Sequence, residues 1–311
     1  MPAAAITVQG LVKRYGSLAA VGGISFEVAP GTVFAFLGPN GAGKTTTVEI
    51  LEGLRRPTDG SVRVLDLDPW RDGEKLHRRI GVIPQEFRFF DKITAREAVE
   101  YYRALFGTTG DAGELLARVE LLDKANARFD TLSGGQKQKL GLALSLTNDP
   151  TVCFLDEPTT GLDPHARRAI WSVIRSLRQE GRTVFLTTHY LEEAELLADR
   201  VAIIHRGRII AAGAPAEIIR AHGRPSRLRV DAPPELAQHL ARELGLAARA
   251  EAGHVEVELA DKRDALRVLE AIDRSGLPWD RVETEEDTLE DVFVRMVGRM
   301  DDGTLKSEGA R

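Results

Sequence analysis

Residues 38–45 read Gly38-Pro39-Asn40-Gly41-Ala42-Gly43-Lys44-Thr45, the spacing G-x-x-x-x-G-K-[ST] of a phosphate-wrapping loop. Glycines let such a backbone fold round a chain of phosphates with several N–H groups pointing inward. A helix expected to open at Lys44, with Thr45, Thr46 and Thr47 in its first turn, adds the positive end of its dipole. Lys44 then reaches the outer phosphates, and Thr45 offers a hydroxyl to Mg²⁺. A second signal is the apolar run Val152-Cys153-Phe154-Leu155, which ends in Asp156-Glu157. Here Asp156 is suited to hold Mg²⁺ through water, and Glu157 to orient and activate an attacking water. A third is Leu132-Ser133-Gly134-Gly135-Gln136, followed by helix formers at 137–146. Its glycines fall at a helix N-terminus, which makes a second anion site on the same chain. One loop already wraps one phosphate chain, so the second site needs phosphate from elsewhere.

These residues require a scaffold of alternating strands and helices. Residues 32–37, 80–84, 152–156, 183–187 and 200–204 are short and apolar, as expected of strands covered on both faces. The stretch from about Ile6 to Pro215 therefore predicts an α/β domain with a largely parallel core sheet. The phosphate loop follows one of these strands and the two acids end another, which is where such a sheet places its chemistry. Cys153 reads as a small core residue of the latter strand. A breaker cluster follows at Gly223, Pro225 and Ser226. Beyond it, 227–230 and 255–259 alternate like half-buried strands. Leu236, Leu240 and Leu244 share a helical face, as do Leu266, Leu269 and Ile272, and Leu289, Val292, Phe293 and Met296 suggest a last helix. This predicts a small α+β domain with a simple open sheet. The expected division is a first domain over 1–222, a second over 223–299 and a disordered tail over 300–311.

Composition narrows the class of partner. The chain has 311 residues, 43% hydrophobic and 29% charged, with net charge -5. Nucleic acid is not a favoured partner for such an acidic chain. The single cysteine excludes an intrachain disulfide and fits a reducing compartment. Residues 1–16 lack the apolar core of a signal peptide. Apolar runs are far shorter than the roughly 18 residues of a membrane span. A soluble, cytoplasmic chain is expected, held at any membrane by a partner.

The ordered set of motifs over about 6–213 resembles the ATPase subunits of ABC transporters. That resemblance implies ATP and Mg²⁺ as cofactors, and a head-to-tail dimer with two ATP molecules between the chains. Ser133, Gly134, Gly135 and Gln136 would close over ATP held by the loop of a second subunit. Tyr15 looks like the aromatic that stacks on adenine, and Gln85 like the glutamine that contacts Mg²⁺ and senses the membrane partner. Asp163, in Gly161-Leu162-Asp163-Pro164, matches the loop linking the two ATP sites. His189 matches the histidine that contacts the γ-phosphate. Glu157, His189, Gln85 and Lys44 form the implied catalytic set, and Thr45, Gln85 and Asp156 the implied metal set. The resemblance also implies a separate transmembrane permease, with the chain peripheral on the inner face of the membrane. Phe87, Phe89 and Phe90 follow Gln85 and are expected to line the groove that receives a permease helix. The ending Thr288-Leu289-Glu290-Asp291-Val292-Phe293-Val294-Arg295-Met296-Val297-Gly298 is similar to that of ABC-2 exporter ATPases, the daunorubicin-resistance type in particular. A soluble ABC ATPase that remodels a macromolecule, or an importer ATPase, is the alternative reading.

Overall fold

The computed structural model describes residues 3–85, 87–251, 253–259 and 262–301. It divides into two compact units, the first ending at Pro215. The first unit opens with β1 (Ile6–Tyr15), β2 (Leu18–Val28), β3 (Val33–Leu37), α1 (Lys44–Leu51) and β4 (Asp59–Val64). It continues with α2 (Gly73–His77), β5 (Ile80–Ile83), α3 (Ala95–Phe106), α4 (Ala112–Arg118) and α5 (Gly134–Ser145). It closes with β6 (Val152–Asp156), α6 (Pro164–Gln179), β7 (Thr183–Thr188), α7 (Leu191–Leu197), β8 (Arg200–His205) and β9 (Arg208–Gly213).

The main sheet has the order β5-β6-β7-β3-β8-β9. Its first five strands are parallel and β9 is an antiparallel edge. All five strands expected from the sequence are present. The second of them stops at Ile83, because Pro84 has no N–H to give the ladder. A separate antiparallel sheet, β2-β1-β4, packs over one face. Side-chain alternation sorts the strands between two cores. Phe34, Phe36, Phe154 and Phe185 point to the antiparallel sheet, where they meet Phe26 of β2. Val33, Cys153, Leu155, Val184 and Leu186 point the other way, into a core shared with α3 to α6.

The helices begin where their side chains say they should. Thr94 and Glu97 form a reciprocal capping box at the start of α3, which ends at Gly107 with φ 66°. Asp163 caps α6, with Pro164 in the first helical position. Phe87 and Phe89 pack against the core beneath α3 and α5, and only Phe90 is exposed. Of the three phenylalanines expected to line a groove, only Phe90 is left open to a partner, because Phe87 fills space over Gly141 and edges onto Phe129.

The second unit comprises α8 (Pro215–His222), β10 (Ser226–Val230), α9 (Glu235–Leu244), β11 (Ala248–Glu251), β12 (His254–Leu259), α10 (Lys262–Ser275), β13 (Val282–Glu285) and α11 (Leu289–Asp301). Its open sheet, β11-β12-β10-β13, is antiparallel throughout. From β10 to β13 the order of elements is β-α-β-β-α-β, the split β-α-β arrangement. The division falls seven residues before the expected one. Helix α8 belongs with the second unit because Arg295 donates to the His222 carbonyl at 2.8 Å and Arg224 N–H to Asp287 at 2.7 Å. On α10 the buried stripe is Val268, Ala271 and Ile272, while Leu266 and Leu269 face solvent. Small and β-branched residues fit closer to the sheet there than the leucines would. The last helix runs to Asp301, past the expected start of the tail at 300, and 302–311 lie outside the described residues.

Phe185 stands at the centre of the phenylalanine cluster, with ring centroids of Phe26, Phe34, Phe36 and Phe154 5.6–6.0 Å away. Phe185→Ala should cost about 3–5 kcal/mol in chemical denaturation. Phe90→Ala, at an exposed position, should stay within about 0.5 kcal/mol of the parent.

Candidate active site

Strand order brings the chemistry together. Neighbouring strands β5, β6, β7 and β3 deliver Gln85, Glu157, His189 and the loop 38–45 at their C-terminal ends. Gln85, Glu157 and the loop line one cavity of about 450 Å³, and His189 stands behind Glu157, outside the lining. The cavity wall includes Tyr15, Asn40, Gly41, Gly43, Lys44, Thr45, Thr46, Gln85 and Glu157.

The loop has the shape that its glycines permit. Gly43 sits at φ 108°, and a Cβ there would lie 2.5 Å from the Ala20 carbonyl. A Cβ on Gly38 would lie 2.3 Å from the Ile204 carbonyl. Ala42 N–H closes the turn onto the Pro39 carbonyl at 3.2 Å. Helices α3, α5 and α6 carry side-chain caps, whereas the N-terminus of α1 has none. Its free N–H groups and positive dipole end form an anion site at the cavity wall.

Lys44 is only 5% exposed. Its ammonium donates to the carbonyls of Gly38 at 2.8 Å and Pro39 at 3.4 Å, and lies 3.5 Å from Glu157 Oε1. Glu157 is the point on which the other groups converge. Its Oε2 accepts from Gln85 Nε2 at 3.2 Å and Thr160 Oγ1 at 3.1 Å, and faces His189 Nδ1 at 3.1 Å. The residue is held at φ 48°, a left-handed conformation that costs a non-glycine residue energy. Its N–H donates to both the carbonyl and the hydroxyl of Thr187, and the Thr187 hydroxyl donates in turn to Asp156. Burial, and next the Glu157 charge, raise the Asp156 carboxyl above the usual carboxylate range, against the Thr187 hydrogen bond. A cation there would relieve that strain. Thr45 hydroxyl, Gln85 amide and Asp156 carboxylate are the oxygen donors a hard divalent ion takes.

Tyr15 is at the cavity mouth, its ring 5.2 Å from the Lys13 ammonium and 5.4 Å from the Arg55 guanidinium. Ser133, Gly134, Gly135 and Gln136 do not line the cavity of their own chain. Ser133 caps α5, and Gln136 is engaged in the same box, its Oε1 accepting the Ser133 N–H at 2.9 Å. Asp163 Oδ1 accepts the N–H groups of His165 and Ala166, both at 2.9 Å, which holds its carboxyl below the usual range. The two helix starts are adjacent, since a Cβ on Gly135 would sit 3.1 Å from that of Ala166. Sequence reasoning missed Thr160 and Thr187. The signal for Thr187 was a polar pair, Thr187-Thr188, ending a strand whose middle, Val184-Phe185-Leu186, is apolar.

A family model described as ABC transporter matches residues 21–160. The Nod factor export ATP-binding protein I of Paraburkholderia xenovorans is 45% identical over 224 residues, 70% of this chain and 74% of that protein. A daunorubicin resistance ATP-binding protein of Streptomyces coeruleorubidus is 37% identical over 314 residues, 97% of this chain and 98% of its own. The solved dimeric structure of a bacterial ABC transporter cassette superposes with TM-score 0.61 at 27% identity, covering 67% of this chain and 98% of that one. The fold is that of a P-loop ATPase, and the family binds and hydrolyses ATP. The chain belongs to the ATP-binding subunits of ABC transporters.

Glu52, at the end of α1, is 5% exposed. Burial, then the charges of Asp156 and Glu49, push its carboxyl up from 4.5 to about 8. It folds protonated and unfolds ionised, so stability is full below about pH 4.5 and is lost as pH rises toward 8. Glu52→Gln should raise Tm at pH 8 by roughly 4–8 °C, about 2 kcal/mol, and by little at pH 5. Thermal scans across that range test it.

Proposed function

We propose that this chain is the motor subunit of an ABC-2-type exporter, closing head-to-tail with a second copy around two ATP molecules. The observation that carries this reading is the pairing of two unlike helix starts. The uncapped start of α1 faces the cavity with Lys44, while the Ser133-Gly134-Gly135 start of α5 is outside the cavity of its own chain. The first takes the phosphates of one ATP, and the second completes the site of the partner.

Thr45, Gln85 and Asp156 would hold Mg²⁺, which supplies charge neutralisation to the outer phosphates. Entry of phosphate draws the Lys44 ammonium from Glu157 toward the γ-phosphate. Glu157, released from that pair, accepts the proton of the attacking water as general base. His189, within hydrogen-bond reach of Glu157, turns to hold the γ-phosphate. Tyr15 stacks on adenine. Asp163, beside the start of α5, links the two sites across the dimer.

The export reading is supported by the relatives, whose names concern daunorubicin resistance and Nod factor export. Among the described residues no helix is long and apolar enough to cross a membrane; in this reading the path is supplied by a separate permease. A groove of about 470 Å³, with Leu54, Val82, Tyr102 and Phe106 in its wall, suits a permease helix. Exposed Phe90 and Tyr101 extend its aromatic wall, in keeping with the aromatic enrichment of interface cores. A hydrophobic drug or antibiotic is the substrate class favoured.

Glu157→Gln should abolish most turnover and accumulate an ATP-bound dimer on size exclusion with Mg-ATP. An unchanged turnover rate would refute the assignment. Pulled from solubilised membranes of its host in the same state, the tagged variant should bring down a polytopic membrane protein in near-equal amount. Recovery of soluble partners alone would point to a remodelling ATPase instead.

A further inference from the structure

Glu193, on α7 four residues beyond His189, is 0% exposed. Nothing in the mechanism above uses it. Its Oε1 accepts the indole N–H of Trp171 at 2.8 Å. Trp171 belongs to α6, the helix that Asp163 caps. Burial raises the Glu193 carboxyl above its ordinary value, and the nearby side chains of Thr188, Trp171 and Thr159 only partly offset this. Thr188 immediately precedes His189, and Thr159 follows Glu157 by two residues. One carboxyl thus meets three segments: the loop after β6, the helix after Asp163 and the end of β7.

A purely structural role explains this poorly. A buried carboxylate is costly, and an apolar side chain of similar volume is often as stable or better. The surroundings are also incompletely satisfied. Glu193 Oε2, Thr159 Oγ1 and Arg167 Nε are all buried without a hydrogen bond of good geometry. The Arg167 guanidinium sits 4.4 Å from the Tyr190 ring, and that ring lies tilted against His189 with centroids 4.2 Å apart. A small shift of the loop that bears Glu157 would let the Thr159 hydroxyl donate to Oε2.

We propose that Glu193 is a positioning residue that holds Glu157 and His189 in mutual register for ATP hydrolysis, through Thr159 on one side and Thr188 on the other. The inference rests on the roles given above to Glu157 and His189. The Thr159–Glu193 bond is completed when the site closes, so its contribution falls on turnover and not on ATP binding. Misplacing a reacting group by about 1 Å costs on the order of 100-fold in rate.

The test compares steady-state Mg-ATP turnover and Tm of the full chain and its variants. Glu193→Gln keeps the acceptor for Trp171 but puts an amide NH2 in place of the second carboxyl oxygen, so that this position can no longer accept from the Thr159 hydroxyl. It should lower kcat about 10–100-fold, leave KM for ATP within about twofold, and leave Tm unchanged or higher. Thr159→Val, of similar volume, should lower kcat in the same way, and its effect should vanish in the Glu193→Gln background. A kcat within twofold of the parent for Glu193→Gln overturns the proposal. So does a loss of kcat matched by a fall in Tm, which marks a structural role. Should Glu193→Gln not fold, Trp171→Phe with Thr159→Val carries the same comparison. Glu157→Gln in the same assay separates the two readings: its full activity sinks the site assignment, while a dead Glu157→Gln beside an active Glu193→Gln sinks only this one.

Discussion

A lysine ammonium enclosed in backbone needs an anion, and that requirement organises the first unit. Lys44 is wrapped by the carbonyls of Gly38 and Pro39 and paired with Glu157. The pair sits where three neighbouring strand ends meet, so it senses the position of each. Moving β6 relative to β3 separates the charges, and moving β7 unhooks Thr187 from the Glu157 N–H. The antiparallel sheet and its phenylalanine cluster hold these strand ends from behind. An interior that close-packed lets little of that relative motion occur.

Much of this was legible in the sequence because it depends on local spacing. Gly38 to Thr45 must form one loop whatever surrounds it, and Asp156-Glu157 must end one strand. What no spacing reveals is which strands are neighbours. The convergence of Gln85, Thr160 and His189 on one carboxylate oxygen follows from the order β5-β6-β7-β3, a property of the whole sheet. Periodicity also misread α10. Leu266 and Leu269 suggested a buried face, but the residues that face the sheet are Val268, Ala271 and Ile272. Three leucine or isoleucine positions at helical spacing define a stripe, and a competing stripe of smaller residues lay beside it. Likewise Phe87 and Phe89 were read for their aromatic character, while the space above Gly141 decided the place of Phe87.

The second unit obeys a different economy. One face of its sheet is sealed by α9 and α10 over Leu228, Val230, Val255 and Val257. The other presents cross-strand partners of opposite charge, Arg227 against Glu258 and Glu285, Arg229 against Glu256 and Glu283. Such pairs favour one register, since a slip by one residue would turn valines outward and arginines into the core. No chemical motif is needed to explain why these residues are there.

The lone sulfhydryl has a practical side. Cys153 is fully enclosed in β6, and burial pushes its thiol up to about 12. Thiol reagents react with thiolate that they can reach, so the unaltered chain is silent toward maleimides and spin labels. A cysteine introduced at exposed Asn40 or Ser133 would be its one reactive thiol. Distances between two copies could then be read by cross-linking or resonance spectroscopy without first stripping the protein of its own sulfur.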